Sequence, residues 1–266
     1  MTDADPDALL ALATALATEA GALLIAGIDQ ARTDVATKSS VTDMVSEMDR
    51  AAESFIVASV RHERPDDAIL AEEGASAEGT SGLRWVIDPL DGTTNYLYGI
   101  PAWSVSVAVE AHGKPLVGVV RDPSRGDTFS AIAGRGSWRH TARLRPRPAP
   151  TLDRALIGTG FGYDSTRRAA QAALLPTVLP AVRDIRRFGS AALDLCWVAA
   201  GELDAYFEAG LSPWDLAAGS LVASEAGAWV GTVDAAPELP DIVVAAPPAL
   251  AEPLVALLRH ALSAAR

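Results

Sequence analysis

The sequence predicts an α/β (α+β) protein made of two closely packed halves, residues 1–146 and residues 147–266. Strand-like runs follow one another in the first half, which indicates an antiparallel sheet, whereas strands and helices alternate in the second half. Proline and arginine crowd residues 144–150, so we place the boundary there. The 266 residues are 49% hydrophobic, which is enough for a large core.

In the first half, apolar periodicity and breaker residues predict two helices followed by strands. Glycine and serine mark residues 73–82 as a surface loop, and His112-Gly113-Lys114 as the turn of a hairpin. The predicted helices are 7–28 and 47–62, and the predicted strands are 68–71, 83–87, 103–110, 115–121 and 128–133.

In the second half, short apolar runs alternate with longer helical patterns, which is typical of helices packed on a central sheet. Pro176 is expected to break the first of these helices. The predicted strands are 155–158, 184–187, 204–207 and 242–245, and the predicted helices are 166–182, 190–200, 215–226 and 248–264.

Composition excludes several classes of protein. The net charge of −12 argues against a nucleic-acid surface, which needs a basic face. The single cysteine, Cys196, lies in an apolar run and is expected to be a buried thiol in a reducing compartment. The N-terminus is acidic, unlike a secretory signal, and Glu19 interrupts the apolar segment after it, so we expect no membrane span and a cytoplasmic protein.

Residues 85–95 form the most informative stretch, an apolar strand followed by an acidic turn. Asp88 and Asp91 lie three residues apart, and Pro89 restricts the backbone between them. Two hard oxygen ligands at the end of a buried strand suit Mg²⁺, and the amides around Gly92 can face a phosphate. The alternative is a plain β-turn with solvated acids and a capping threonine.

Three further acidic segments are ambiguous when each is taken alone. Glu72 and Glu73 end a short apolar strand, where a cation would offset their burial, or else they lie in a solvated loop. Asp215 begins a helical run and is well placed as its N-cap, a role that is compatible with metal binding. Residues 38–49 supply more acids and, in Lys38, a counter-charge or phosphate contact, with helix capping as the alternative.

Together these segments resemble the inositol monophosphatase family of Mg²⁺-dependent phosphomonoesterases. Residues 88–95 match the Asp-Pro-x-Asp-Gly-Thr-x-Asn signature in full, and residues 214–219 with 225–227 match the second signature, Trp-Asp-x-Ala-Ala-Gly followed by Glu-Ala-Gly. Residues 158–163 and 187–195 are similar to the bacterial branch. The resemblance extends from about residue 38 to the C-terminus, and it implies a layered αβαβα sandwich and a homodimer.

The resemblance also implies the metal ligands and the catalytic groups. Glu72, Asp88 and the Leu90 carbonyl would hold one Mg²⁺, and Asp88, Asp91 and Asp215 a second, with a weaker third ion near Glu72. An Asp49–Thr93 pair would orient the attacking water and help to deprotonate it. Glu72, a metal ligand, is implied as a third catalytic residue.

The remaining residues implied by the resemblance contact the substrate. The amides of Gly92 and Thr93 would bind phosphate oxygens, and Glu208 would accept hydrogen bonds from sugar hydroxyls. The residues expected to line the rest of the pocket are Gly189, Ser190, Ala191 and Asp215.

The implied reaction is Mg²⁺-dependent, Li⁺-sensitive hydrolysis of myo-inositol 1-phosphate or a related polyol or sugar phosphate. Alternatives are a phosphatase for histidinol phosphate, fructose 1,6-bisphosphate or nucleotide 3′-phosphates, or a regulatory member that binds a protein. The complete ligand set argues against the last as the sole role. Arg186 and Arg187 either reach a second anionic group on the substrate or form surface ion pairs.

Overall fold

The computed structural model describes residues 5–34, 41–148, 151–235 and 239–265, with side chains for 5–28, 47–148, 151–235 and 239–265. Helices and sheets alternate in five layers, which confirms the predicted αβαβα sandwich. Lys38 lies outside the described residues. In the described chain the helices are α1 (Pro6–Asp34), α2 (Val41–Glu63), α3 (Thr93–Tyr98), α4 (Ser165–Ala172), α5 (Leu175–Val178), α6 (Ala191–Ala200), α7 (Pro213–Ala226) and α8 (Pro248–Ala264).

Eight strands form the first sheet, in the order β2-β1-β3-β4-β5-β6-β7-β8. It is antiparallel as predicted except at β1 and β3, which pair in parallel. The strands are β1 (Ala68–Ala71), β2 (Ser76–Ala77), β3 (Leu83–Asp91), β4 (Ser104–Ala111), β5 (Lys114–Asp122), β6 (Asp127–Ile132), β7 (Gly136–Arg139) and β8 (Ala142–Arg143).

Five strands form the second sheet, in the order β10-β9-β11-β13-β12. The first three of these are parallel, and β13 runs antiparallel to both of its neighbours. The strands are β9 (Leu156–Thr159), β10 (Asp184–Arg186), β11 (Ala205–Ala209), β12 (Trp229–Val233) and β13 (Ile242–Ala246).

Three buried apolar clusters hold the five layers together. The first joins α1 and α2 to one face of the eight-stranded sheet, the second joins the other face to α6 and α7, and the third joins the five-stranded sheet to α8. Because α6 and α7 pack against a sheet built from the first half, side chains from both halves meet in the second cluster. The boundary at residue 146 stays a prediction.

Several elements differ from those predicted. The short strands β2, β7, β8 and β12 were not expected, and β2 and β8 have only two residues each, which is too few for a period. The predicted helix 166–182 is divided into α4, α5 and a 3₁₀ turn, and the break falls at residues 173–174, before Pro176. Cys196 is a buried free thiol, as predicted.

The expectation of no membrane span stays a prediction, and α1 is the helix that bears on it. By length and hydropathy, Pro6–Ile28 reaches the level of a membrane-spanning helix despite Glu19. In the fold, one face of this helix is buried against α2 and strands β4 and β5. The core therefore accounts for the apolar side chains of that face.

Candidate active site

A bulge in β3 brings Asp88 and Asp91 to the same face of the sheet. Successive residues of a strand face opposite sides, so positions three apart would normally diverge. Here Asp88 pairs with Ser106 and Asp91 with Ser104, so β3 has one residue more than β4 between these pairs. Leu90 accordingly packs in the cluster beneath α1 and α2, on the other face. The predicted turn is therefore a bulged strand, and Pro89, which lacks an N–H group, lies within the bulge.

Asp91 is fixed by the N-terminus of α6, from the other half of the chain. Its Oδ2 accepts hydrogen bonds from the Ser190 hydroxyl at 2.6 Å and from the Ala192 amide at 2.8 Å. Ser190 is the N-cap of α6 and is fully buried. Ser190 therefore positions Asp91, whereas its predicted role was to line the sugar pocket.

Asp215 lies in the first turn of α7, three residues after the N-cap. Ser212 is that N-cap, not Asp215 as predicted, and the Ser212 amide donates to Asp215 Oδ2 at 2.7 Å. The Ser106 hydroxyl donates to the Trp214 carbonyl at 3.3 Å, which ties the start of α7 to β4 beside Asp88. Asp215 is thereby brought to the same cleft as Asp88 and Asp91.

Five carboxylates line this cleft, and four of them, Glu72, Asp88, Asp91 and Asp215, form a cluster whose members repel one another. Burial, together with the charges of Glu72, Asp91 and Asp215, raises the pKa of Asp88 well above its usual range. Burial and the nearby Asp215 raise the pKa of Asp91 to about 7. The pKa values of Glu72 and Asp215 are raised as well, chiefly by burial. The cluster is thus short of positive charge.

The donor chemistry of this cluster fits a hard divalent cation. Asp88, Asp91 and Asp215 each accept a hydrogen bond from a backbone amide, that of Leu90, Ala192 and Ser212 respectively. The carboxyl of Asp88 also lies within hydrogen-bonding reach of those of Glu72 and Asp215. Within the described residues, no three Asp, Glu, His or Cys side chains already form a closed ligand set. Binding a cation would therefore require small side-chain movements.

Gly92 begins α3 at the edge of the cleft, where another residue would not fit. Its φ of 91° lies in the left-handed region, and an added Cβ would come within 2.9 Å of the Ala102 carbonyl oxygen.

The predicted Asp49–Thr93 pair is not formed. The Thr93 hydroxyl donates to the Leu90 carbonyl at 3.0 Å, while Asp49 Oδ1 is buried without a partner among the described residues.

Asp49 lies on the buried face of α2, near other acids. Burial and the charges of Glu72, Glu73 and Glu53 raise its pKa to about 8. Glu53, which we did not predict, accepts hydrogen bonds from the Glu73 amide at 2.8 Å and the Ala75 amide at 3.2 Å, and so supports the turn that carries Glu72. The sequence pattern that could have identified Glu53 is an acid on the same helical face as the apolar residues Ile56 and Val60.

All of the predicted substrate residues except Ser190 line the cleft, which has a volume of about 240 Å³. Gly189, Ala191 and Glu208 line it together with Gly92, Thr93 and Leu90. The Tyr206 hydroxyl donates to Glu208 Oε2 at 2.6 Å. Burial raises the pKa of Glu208, and this bond and the Arg187 charge oppose the shift. Gly160 leaves space for Glu208, since a Cβ there would lie 1.9 Å from its Oε2.

Arg186 and Arg187 have different surroundings. Arg186 pairs with Asp184 on the surface at 2.6 Å, as one alternative predicted. Arg187 lines the cleft, as does Arg167 of α4, a residue that we did not predict. Nothing in the helical pattern of residues 166–182 distinguishes Arg167 from its exposed neighbour Arg168.

Comparison with known proteins agrees with this geometry. The family model described as "Inositol monophosphatase family" matches residues 5–263. The chain belongs to the inositol monophosphatase family. It is 44% identical to an inositol-1-monophosphatase of Mycobacterium leprae, over 97% of this chain and 96% of the relative. It is also 42% identical to a Pasteurella multocida protein named Nus factor SuhB, over 84% of each chain.

A solved inositol monophosphatase-family structure, Mycobacterium tuberculosis SuhB, shares the fold. Its TM-score is 0.84 at 41% identity, with 97% of this chain and 98% of that chain covered. Membership of the family and the common fold make this chain a phosphatase of the inositol monophosphatase superfamily.

Proposed function

We propose that the protein is a Mg²⁺-dependent phosphomonoesterase that hydrolyses myo-inositol 1-phosphate or a related polyol or sugar phosphate. The observation that carries the proposal is the convergence of Glu72, Asp88, Asp91 and Asp215 on one cleft. Because these acids repel one another, Mg²⁺ would offset their charge and would in turn attract an anionic phosphate ester.

The residues divide the chemical work. Glu72, Asp88, Asp91, Asp215 and the Leu90 carbonyl would hold Mg²⁺, which when bound supplies Lewis-acid polarisation and activates water. The amides of Gly92 and Thr93 lie at the N-terminus of α3, beside the cleft. As fixed hydrogen-bond donors, they would stabilise phosphate oxygens with little reorganisation. Glu208 would accept hydrogen bonds from substrate hydroxyls. The small cleft favours a sugar-sized ester over a dinucleotide.

A substrate panel tests the proposal. With Mg²⁺ present, we expect the highest kcat/KM on inositol 1-phosphate or a sugar phosphate, and little hydrolysis after chelation by EDTA. The panel comprises inositol 1-phosphate, fructose 1,6-bisphosphate, histidinol phosphate and 3′-phosphoadenosine 5′-phosphate. A strong preference for histidinol phosphate or the nucleotide would overturn the substrate class.

Glu208 offers a narrower prediction. The Glu208→Gln variant should lower kcat/KM for inositol 1-phosphate by about 10-fold, because a charged acceptor for hydroxyl groups is lost. Hydrolysis of 4-nitrophenyl phosphate, which has no hydroxyl groups to bind, should change less than about 3-fold. Steady-state kinetics on both esters measures the difference. Equal losses would indicate that Glu208 acts on the reaction centre and not on the sugar.

The relatives named Nus factor favour a second candidate, in which the folded domain binds a protein partner. Retention of the whole carboxylate set argues against this as the sole function. If the Asp91→Asn variant supported a normal cellular phenotype in place of the wild-type protein, the binding role would become the leading hypothesis. The homodimer and the cytoplasmic location inferred from the sequence stay predictions.

A further inference from the structure

The loop between β9 and α4, residues 160–164, forms one wall of the cleft, and the proposed hydrolysis gives it no role. Phe161 and Tyr163 of this loop line the cleft. A Cβ on Gly160, in the same loop, would lie 1.9 Å from Glu208 Oε2. The loop therefore runs directly past the carboxylate that is proposed to accept hydrogen bonds from substrate hydroxyls.

The side chain of Tyr163 reaches from this loop to α3, in the other half of the chain. Its hydroxyl lies 3.4 Å from the hydroxyl of Thr94, which is 69 residues away in the sequence. Thr94 directly follows Thr93, whose amide is proposed to bind a phosphate oxygen. The tyrosine ring thus lies between the loop that contacts Glu208 and the helix that begins with the phosphate-binding amides, where the alcohol part of a bound ester would lie.

Hydrogen bonds fix the backbone of the loop, whereas the Tyr163 side chain stays exposed. Arg168 donates to the Tyr163 carbonyl at 3.1 Å. The Gly162 amide donates to Gln171 Oε1 at 2.8 Å, and the buried Gln171 donates in turn to the Ala209 carbonyl at 3.2 Å. Tyr163 is nevertheless 75% exposed. An aromatic ring on a fixed backbone can contact a bound molecule at a small cost in conformational entropy.

Exposure alone does not distinguish Tyr163, because single exposed apolar side chains are common on protein surfaces. Tyr98 is 76% exposed, and it lies outside the described lining of the cleft. What distinguishes Tyr163 is its position, beside Glu208 on one side and α3 on the other. Tyr98 is therefore a matched control for any effect of removing an exposed tyrosine.

We propose that the ring of Tyr163 packs against the alcohol part of the substrate and selects a cyclic polyol or sugar phosphate over an acyclic ester. Most hydroxyls of myo-inositol are equatorial, so axial C–H groups cover the faces of its ring. Such faces suit the face of an aromatic ring, which is apolar and carries negative charge density. The equatorial hydroxyls at the edge stay available to Glu208. This inference rests on the proposed function and narrows its substrate to a ring-shaped monoester.

The test compares myo-inositol 1-phosphate with glycerol 2-phosphate. Both are monoesters of secondary alcohols with neighbouring hydroxyl groups, and only the first contains a ring. With Mg²⁺ present, we expect wild-type kcat/KM to be at least about 10-fold higher on inositol 1-phosphate. Tyr163→Ala should remove most of this preference, with a loss of about 10-fold on inositol 1-phosphate through KM and a smaller loss, below about 3-fold, on glycerol 2-phosphate.

Two further variants separate the ring from other causes. Tyr163→Phe keeps the ring but loses the contact with the Thr94 hydroxyl, and it should keep most of the preference. Tyr98→Ala should leave kcat/KM on both esters unchanged. Thermal unfolding midpoints close to that of the wild type would show that all three variants fold. Equal losses on both esters in Tyr163→Ala, a Tyr163→Phe variant as impaired as Tyr163→Ala, or a wild-type protein without the preference would overturn the proposal.

Failure of the proposed function gives a different result, because the wild-type protein then hydrolyses neither ester. Inositol 1-phosphate is in that case a stable ligand for calorimetry in the presence of Mg²⁺. Binding that is at least about 10-fold weaker in Tyr163→Ala than in the wild type, and unchanged in Tyr98→Ala, would still support the contact with Tyr163. Equal binding by the wild type and Tyr163→Ala, or no binding by the wild type, would overturn it.

Discussion

Replacing Asp91 by asparagine is expected to lower kcat/KM for phosphate-ester hydrolysis by at least about 10³-fold, a loss of about 4 kcal/mol of transition-state stabilisation. The variant loses a negative charge and a carboxylate ligand at the centre of the cluster. Its amide oxygen can still accept hydrogen bonds from the Ser190 hydroxyl and the Ala192 amide, so the side chain should keep its position. Steady-state kinetics with Mg²⁺ measures the loss.

The same substitution should not destabilise the metal-free protein. The Asp215 charge is the largest electrostatic contribution to the raised pKa of Asp91, so removing the Asp91 charge relieves a repulsion. We expect the thermal midpoint in EDTA to be equal to or above that of the wild type. Asp66→Asn, at an exposed aspartate outside the cleft, is the matched control and should keep full activity. An Asp91→Asn variant with more than a tenth of wild-type activity would contradict the proposed role.

Without metal, the protein should lose stability as the pH rises from 5 to 8. The folded-state pKa values of Asp91 and Asp49 are about 7 and about 8, above the ordinary value of 3.8. Folding therefore favours their protonated forms. The stability that they contribute is fully present below pH 4 and is lost as the pH rises through 7 and 8. The loss should reach at least about 2 kcal/mol, or roughly 4–8 °C in Tm.

Magnesium should flatten this dependence, because a cation at the cluster favours the ionised carboxylates. Thermal unfolding in EDTA and in saturating Mg²⁺, at several pH values between 5 and 8, measures both curves. The Asp91→Asn variant in EDTA should show a smaller fall than the wild type. A wild-type Tm in EDTA that stays constant or rises over this range would contradict the raised pKa values of Asp91 and Asp49.

Local sequence was sufficient for much of the fold. Apolar period and turn residues predicted the hairpin at His112-Gly113 and the helix Pro248–Ala264, because neighbours along the chain determine both. The parallel pairing of β1 with β3 and the layer shared by α6 and α7 depend on contacts between distant segments. No local pattern records these contacts.

In the site, too, local sequence identified some residues, whereas the roles of others depend on contacts between distant segments. The signature around Asp88 and Asp91 identified the acids, but it indicated a turn where the chain forms a bulged strand. The role of Ser190 depends on a contact 99 residues away along the chain, with Asp91. Asp194 is buried with both carboxylate oxygens unpartnered among the described residues, yet in the sequence it is simply one acid in an apolar helix.

The bulge in β3 is a requirement of the three-residue spacing between the two aspartates. At this spacing, a regular strand without the bulge would point Asp91 towards α1 and α2 instead of the N-terminus of α6, because residues three apart then face opposite sides. Substitutions at Pro89 or Leu90 that keep the bulge alter packing, whereas one that removes the bulge would reverse the direction of a ligand. Among related chains, the three-residue spacing and the bulge should therefore be retained or lost together.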